Sequence, residues 1–274
     1  DTIMRMKTKI LGASAAALFA CGGISAQTAG NGFSWPGGKR VAVSFSFDDA
    51  RASQVDSGVP LFDKYGAKVT FYVNPNNMEK HLDAWKSVAR KGYEIGNHSA
   101  LHPCTGNFAW SREKALEDYT IEKMRAELTG ASADIERMVG VKPATFAYPC
   151  GQKFVGRGVD TKSYVPLIAE LFLAGRGFRD EAANDPSFCD LAQTLGIDSD
   201  GMSFEQMKAT VEAARERGGW VVFAGHDIGD KPVRQVTLAA SLEQFLKYAQ
   251  DPANGVWLDT IEKIAKVVQK SRSR

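Results

Sequence analysis

The stretch VAVSFSFDD, residues 41–49, predicts a buried strand that ends in two adjacent carboxylates. Its first seven residues are mainly apolar, β-branched or aromatic, and a Pro-Gly-Gly turn precedes them, as expected of a strand covered on both faces. Such strands are typical of parallel sheets with helices on either side. Asp48 and Asp49 follow directly. Because neighbouring carboxylates repel each other, the pair indicates either a functional site or a polar cap at the strand end.

The rest of the chain alternates between strand and helix patterns. Short apolar runs that meet turn residues predict further strands at 68–73, 93–97, 144–148 and 220–225. Amphipathic runs predict helices at 114–138, 203–217 and 237–250, and from Asp259 onward. Ser203 and Gln206 have the spacing of a capping box at the start of the second helix. The alternation predicts one α/β domain, with a parallel sheet or barrel inside and helices outside.

The first 26 residues have the pattern of a secretory signal peptide. Basic residues precede the apolar stretch 10–20, and small residues follow it, so we expect cleavage after Ala26 and a single domain over 27–274. The alternative is a lipoprotein signal with Cys21 as the site of lipid attachment. Either signal predicts export to the periplasm or the medium.

Charge and cysteine content limit the partners and the cellular compartments that fit this protein. The chain has 34 Lys and Arg against 32 Asp and Glu, and such a balance argues against a nucleic-acid partner, which would need a basic surface. No run approaches the roughly 20 apolar residues of a transmembrane helix. An oxidising compartment would permit one disulfide among Cys104, Cys150 and Cys189, with one thiol left over.

Chemically reactive residues follow several of the predicted strands. The pair Asp48-Asp49 ends the first strand, His98 ends the third, the stretch 149–151 ends the fourth, and His226 ends the last. The carboxyl ends of parallel strands meet at one edge of a sheet or barrel, where functional groups gather. We therefore expect these residues to lie together.

Two histidines within this set have the spacing of metal ligands. His98 and His102 stand four residues apart in HSALH, a spacing that a helical turn would place on one side. Ser99 occupies the position where zinc proteases of the HExxH type need a glutamate, so that class is disfavoured. Two histidines and one aspartate would leave open positions for water and substrate. The alternative is a pair of polar histidines at the rim.

Five ordered motifs give the chain a resemblance to a known family. They are SFDD (46–49), HSALH (98–102), FAYPCG (146–151), AGRGF (174–178) and VVFAGHD (221–227). In this order they resemble the motifs of the polysaccharide deacetylases, the NodB-homology family or carbohydrate esterase family 4. The resemblance implies a distorted (β/α) barrel and a divalent metal, usually zinc, with cobalt and manganese as alternatives. It also implies removal of acetyl groups from N-acetyl amino sugars or from O-acetylated polysaccharides such as xylan.

The resemblance also implies a role for each matching residue. Asp49, His98 and His102 would bind the metal. Asp48 would be the general base that takes a proton from the attacking water. His226 would be the general acid that protonates the leaving amine or alcohol.

The chain departs from the usual family motifs in two places, at Ala147 and in the fourth motif. Ala147 stands where much of the family has an arginine that orients the base, and we expect Arg176 to supply that guanidinium from the next strand end. The alternative for Arg176 is an ordinary ion pair. The backbone N–H of Cys150 would stabilise the oxyanion, a role that a change of side chain does not affect. The acidic-tryptophan pattern of the fourth motif is missing. The resemblance therefore specifies the substrate less narrowly.

Two alternative functions are disfavoured by the sequence, and three further residues are interpreted without a motif. A glycan-binding relative without activity is disfavoured because Asp48 and His226 are both present. A non-haem iron enzyme, which also uses two histidines and a carboxylate, is disfavoured by the α/β pattern. Phe108 and Trp110 are interpreted as core residues under a loop, with a sugar-stacking wall as the alternative. His81 matches no motif and is expected at the surface.

Overall fold

The strand predicted from residues 41–47 lies inside a parallel sheet. In the computed structural model, which describes residues 33–272, this strand is β1, Val41–Asp48, and all eight of its residues are buried. The predicted signal peptide, 1–26, and Cys21 lie outside the described residues. The other strands are β2 (Thr70–Val73), β3 (Glu94–Asn97), β4 (Thr145–Ala147), β5 (Phe154–Val155), β6 (Lys162–Ser163), β7 (Ala174–Arg176), β8 (Ile197–Asp198), β9 (Trp220–Gly225), β10 (Asp227–Gly229), β11 (Val236–Leu238) and β12 (Val256–Leu258).

The main sheet has the strand order β7-β4-β3-β2-β1-β9-β8, and every pair in it is parallel. β12 pairs with the first three residues of β1, and β2 pairs with the last three, so these two strands share one edge of β1. Two short ribbons, β5–β6 and β10–β11, lie outside the main sheet. All carboxyl ends in the main sheet therefore point the same way.

Residues 194–198 join the two edges of this curled sheet. Thr194 exchanges two backbone hydrogen bonds of 2.7 Å with the β7 region, one with Gly175 and one with Gly177. Three residues later the same segment becomes β8 and pairs with β9. The segment has no room for side chains at its centre, since a Cβ on Gly196 would lie 2.3 Å from the Gly177 carbonyl oxygen. The predicted distorted (β/α) barrel is confirmed.

Helices cover the outside of the sheet. Their bounds are α1 (Val59–Lys64), α2 (Pro75–Met78), α3 (Leu82–Arg90), α4 (Ile121–Val139), α5 (Val165–Leu171), α6 (Phe204–Arg215), α7 (Ala239–Gln250) and α8 (Ile261–Arg272). Among residues 33–272, none of the helices is both long and apolar enough to cross a membrane.

The predicted helix at 114–138 starts later than its sequence pattern suggests. Residues 109–114 and 116–118 form short 3-10 turns, and α4 begins only after Thr120, whose hydroxyl accepts the backbone N–H of Lys123. The last helix likewise begins after Thr260 rather than at Asp259. The Thr260 hydroxyl caps it in the same way, because it accepts the backbone N–H of Lys263, three residues later. The capping box of Ser203 and Gln206 is present as predicted.

Aromatic side chains beneath the sheet hold β1 in place. Phe45 packs against Phe223 of β9 and Phe245 of α7, with ring centroids 5.0 and 5.2 Å apart. Burial of such large rings contributes about 1.5–3 kcal/mol each to the free energy of folding. The strand that ends in the two carboxylates is therefore rigid, which fixes the position of Asp48.

One disulfide links two loops at the carboxyl ends of the strands. Cys104, after β3, is bonded to Cys150, after β4, and Cys189 remains a free thiol. One bridge and one leftover thiol is the arrangement that the cysteine content permits.

Gly196→Ala should destabilise the barrel by about 1–3 kcal/mol, because the added methyl group would overlap backbone of the adjoining strand. Gly130→Ala is the matched control. Gly130 is exposed on α4 with no atom within 4 Å of a new Cβ, so this change should leave stability equal or raise it by up to about 1 kcal/mol. Urea unfolding of the two variants measures the difference. Equal midpoints would show that residues 194–198 do not hold the barrel closed.

Candidate active site

The turn after β1 brings both aspartates to the same end of the barrel. Asp48 is the last strand residue, and the backbone then turns through left-handed conformations at Asp49 (φ +77°) and Ala50 (φ +53°). Adjacent residues of a straight strand would point to opposite faces. Here the carboxylates of Asp48 and Asp49 lie 3.8 and 3.6 Å from the same Nε2 atom of His98.

Asp49, His98 and His102 form a cluster that fits a divalent metal. Their ligand atoms all lie within 4.8 Å of one another, and Asp49 Oδ1 is 3.6 Å from each imidazole Nε2. The Nδ1 atom of His98 is 2.9 Å from the carbonyl oxygen of Ala147. With Nδ1 donating to that carbonyl, Nε2 presents its lone pair to the cluster, an arrangement typical of metal-binding histidines.

The loop that carries the two histidines is not the helical turn expected from their spacing. Ser99 and His102 both have left-handed backbone, with φ values of +58° and +52°. The side-chain amide of Asn74 donates to the carbonyls of His98 and Ser99, and the His102 N–H donates to the Ser99 hydroxyl. Polar side chains, rather than helical hydrogen bonds, therefore bring the two imidazoles together.

Arg176 lies beside Asp48. Its guanidinium donates to Asp48 Oδ1 and to the Gly177 carbonyl, and it is fully buried over the ring of Tyr72. Arg176 is the register partner of Ala147 in the parallel pair β4–β7, so the charge reaches the site from the neighbouring position of the next strand. Burial alone would raise the pKa of Asp48, but the charge of Arg176, with His98 and His226, holds it below its usual value. The carboxylate is ionised at neutral pH.

A polar network that the sequence did not indicate surrounds Asp49. Arg51 donates to Asp49 Oδ2 at 2.9 Å, to Asp227 Oδ2 at 2.6 Å and to Gln235 Oε1 at 3.0 Å. Burial opposes ionisation of Asp49, but the neighbouring imidazoles and Arg51 lower its pKa to about 2. Burial and the nearby His98 lower the pKa of His102 to about 4, so that this imidazole is neutral at physiological pH, the form that binds metal.

His226 faces the site from the end of β9 and is paired with a second residue that the sequence analysis missed. Its Nδ1 is 2.6 Å from Asp200 Oδ2, and the other oxygen of Asp200 accepts the His226 backbone N–H and the Thr237 hydroxyl. Burial disfavours the charged imidazole, but Asp200 and the charge of Asp48 together raise the pKa of His226. Asp200 follows a two-residue strand, β8, that has no clear sequence pattern.

Cys150, Phe108 and Trp110 are the remaining candidate site residues. Cys150 lies in the turn after β4 with φ +56°, held by its disulfide to Cys104. The interpretation of Phe108 and Trp110 as core residues is wrong. Their side chains are 43% and 57% exposed and are stacked on each other. The loop before α4 carries them to the surface, where Trp110 lies 5.9 Å from the ring of His102. His81 is exposed, as expected.

An open cleft of about 620 Å³ leads to the cluster. Its lining includes Asp49 and His102, three asparagines of the β2–α2 region, and the residues Arg51, Ala100, Leu101, Trp110, Lys114, Arg234 and Gln235. A cleft of this size can admit one sugar unit with its substituents. The cluster is thus reachable by a ligand.

Comparison with known proteins finds a family model that matches part of the chain. Residues 36–159 match the model of a family described as polysaccharide deacetylase. Over 93 residues the chain is 31% identical to the uncharacterized protein YlxY of Bacillus subtilis, a match that covers 34% of this chain and 26% of YlxY. The chain therefore matches only about a quarter of that curated relative. Asp48, Asp49, His98 and His102 lie inside the family match, whereas Arg176 and His226 lie beyond it.

Solved structures resemble the chain over most of its length. A candidate polysaccharide deacetylase from Mycobacterium smegmatis is 21% identical, with a TM-score of 0.65 over 88% of this chain and 94% of that one. A family 4 acetyl xylan esterase from Clostridium thermocellum, solved in complex with a cobalt ion, is 17% identical, with a TM-score of 0.53 over 82% and 91%. At such identities the likeness establishes the fold.

Asp200→Asn should lower the pKa of His226, because the amide cannot offer the negative charge that favours the imidazolium. Histidine proton signals followed by NMR across a pH titration measure this shift. Asp227→Asn is the matched control: it follows His226 directly in sequence, but its carboxylate contacts Arg51 and Ser53. A His226 pKa that falls equally in both variants would contradict the specific role of Asp200.

Proposed function

On the premise that residues 36–159 match the polysaccharide deacetylases, we propose that the chain is a metal-dependent hydrolase that removes acetyl groups from a carbohydrate. One observation carries the proposal. The cluster of Asp49, His98 and His102, whose ligand atoms are close enough to hold a metal ion, adjoins an ionised carboxylate, Asp48, and an imidazole with a raised pKa, His226. Hydrolysis of an amide or ester needs a base and an acid on opposite sides of the reacting carbonyl, and these two residues are suited to those tasks.

The proposed metal ligands are Asp49, His98 and His102. Two imidazoles and a carboxylate suit zinc, and cobalt or manganese are the alternatives. A divalent ion bound there would polarise the acetyl carbonyl and lower the pKa of water to about 7. The second nitrogen of each imidazole is already directed elsewhere, His98 Nδ1 to the Ala147 carbonyl and His102 Nδ1 to the Cys104 sulfur, at 2.9 and 3.6 Å.

Asp48 is the proposed general base. Its ion pair with Arg176 keeps one carboxylate oxygen engaged and orients the other, Oδ2, toward His98 and the cluster. The free oxygen can accept a proton from the attacking water. Arg176 acts here as a positioning residue, because it contacts the base rather than the substrate.

His226 is the proposed general acid. The contact with Asp200 fixes its Nδ1–H, so that Nε2 carries the proton that passes to the leaving nitrogen or oxygen. The raised pKa favours the protonated ring. The backbone N–H of Cys150 is the proposed donor to the carbonyl oxygen as negative charge develops on it. The tight turn over 149–151 and the disulfide to Cys104 restrain the position of this N–H.

We also propose that the protein works outside the reducing cytosol. The bond between Cys104 and Cys150 supports this location, since disulfides persist in oxidising compartments. A glycan-binding function without hydrolysis is less well supported, because the proposed base Asp48 contacts Arg176 and the proposed acid His226 contacts Asp200, contacts that suit hydrolysis and are not needed for binding alone.

With zinc present, the protein should release acetate from at least one member of a panel of chitooligosaccharides, peptidoglycan, poly-N-acetylglucosamine and acetylated xylan. Removal of metal with a chelator should abolish release, and zinc should restore it. His98→Ala should lose both bound metal and activity, whereas the exposed His81→Ala should keep both. Enzymatic detection of acetate and elemental analysis are the measurements. A metal-free protein with full activity would refute the proposal.

Asp48→Asn and Asp49→Asn should have different defects. Asp48→Asn should still bind zinc but lose general-base assistance, a reduction of about 10²- to 10⁴-fold in kcat. Asp49→Asn should weaken zinc binding itself, because a charged ligand becomes neutral. Zinc titration of both variants, followed by assay at saturating metal, separates the two. Loss of metal in Asp48→Asn with retention in Asp49→Asn would reverse the assignment.

A further inference from the structure

The cleft beside the candidate metal ligands carries more positive charge than its neighbours neutralise. Four charged residues line it: Asp49, Arg51, Lys114 and Arg234. Arg51 is balanced by its contacts with Asp49 and Asp227. Within residues 33–272, no ion pair joins Lys114 or Arg234 to a carboxylate. Two cations therefore face the cleft without a counter-charge of their own.

Lys114 is held in position rather than free in solvent. Its ammonium donates to the Leu101 carbonyl at 2.5 Å and lies 5.6 Å from the ring of Trp110. Both contacts leave its charge intact. Glu127 of α4 accepts the backbone N–H groups of Ala100 and Leu101 rather than the Lys114 ammonium. Lys114 is thus oriented beside an exposed aromatic ring with its charge unpaired.

The aromatic surface indicates where a sugar would lie. Trp110 and Phe108 are stacked with an interplanar angle of 11°, and Trp110 is more than half exposed. Exposed aromatic rings at the mouth of a cleft suit the apolar face of a pyranose ring. A sugar on Trp110 would be near both His102 and Lys114, which lie 5.9 and 5.6 Å from the Trp110 ring.

We infer that this cleft selects an anionic glycan: the acetylated sugar at the metal cluster would have a carboxylate or phosphate on the same or the next unit, bound by Lys114 and Arg234. This inference rests on the proposed function for the acetyl group but concerns a separate property, the charge of the substrate. Arg234 lies on the exposed segment between β10 and β11 and Lys114 before α4, so the two cations come from different loops lining one cleft. Electrostatic attraction of this kind raises both affinity and the rate of encounter.

The test compares one glycan in two charge states. An O-acetylated oligouronate with free carboxylates is assayed against its methyl ester, which has the same acetyl groups and length, at low salt. The free acid should give a kcat/KM about 5- to 30-fold higher, as expected of two partly exposed charge contacts, and added salt should reduce the difference. The double variant Lys114→Gln/Arg234→Gln should bring the ratio close to one.

Control measurements separate charge selection from catalysis. A small neutral aryl acetate reports the hydrolytic activity of each variant, and the preference is taken as the ratio of the free-acid rate to the methyl-ester rate within one protein, so that a change of activity common to both substrates cancels. Lys270→Gln, an exposed change on α8 outside the cleft, should preserve the preference. A phosphate-substituted acetylated glycan serves as the second anion, and a preference for it over the oligouronate would assign the bound group to phosphate.

Two different failures can be told apart. Acetate release from the aryl acetate and neutral glycans, with no preference for either anion, would overturn the inference and leave the proposed function standing. Calorimetric titration of the same oligosaccharides covers the opposite case. Tighter binding of the free acid than of its ester, without acetate release from any substrate, would uphold the anionic preference and contradict the proposed hydrolysis.

Discussion

The buried ion pair between Asp48 and Arg176 is the interaction on which the rest of the site depends. Moving two charges out of water is costly, and the cost is offset only if the geometry is good and both groups stay paired. The pair joins β1 to β7, which lie four strands apart in the sheet, so it forms only when the sheet curls. Residues 194–198 must then close the barrel beside Arg176. Closure of the barrel therefore brings Arg176 to Asp48, and the charge of Arg176 keeps that carboxylate ionised.

Much of this architecture could be predicted because its signals are local. The strand patterns and the residues that follow them placed Asp48, Asp49, His98 and His226 at one end of a parallel barrel. The contact of Arg176 with Asp48 was also predictable from the position of Arg176 at a neighbouring strand end, and Arg176 is the register partner of Ala147. In each case the sequence pattern and the fold agree at the same residues.

The parts that were missed depend on contacts between distant segments. Asp200 follows a strand of two residues, and only the fold brings it to His226. The loop that carries His98 and His102 looked helical from spacing alone, yet Asn74 from another strand end stabilises a different backbone. Phe108 and Trp110 looked like core residues because composition cannot distinguish an apolar residue that packs inside from one that faces a cleft.

The Cys104–Cys150 bond has a consequence for how the protein is made. It spans 46 residues, and closing a loop of that length in the unfolded chain reduces its entropy by an amount worth about 4 kcal/mol. The loops it joins carry two of the three proposed metal ligands, His98 and His102, and the proposed oxyanion donor, while the aromatic core beneath β1 does not involve either cysteine. Protein produced in a reducing cytosol would therefore keep its barrel but hold these loops less firmly. Batches that differ only in thiol oxidation would be expected to differ in metal occupancy and to look alike by secondary structure.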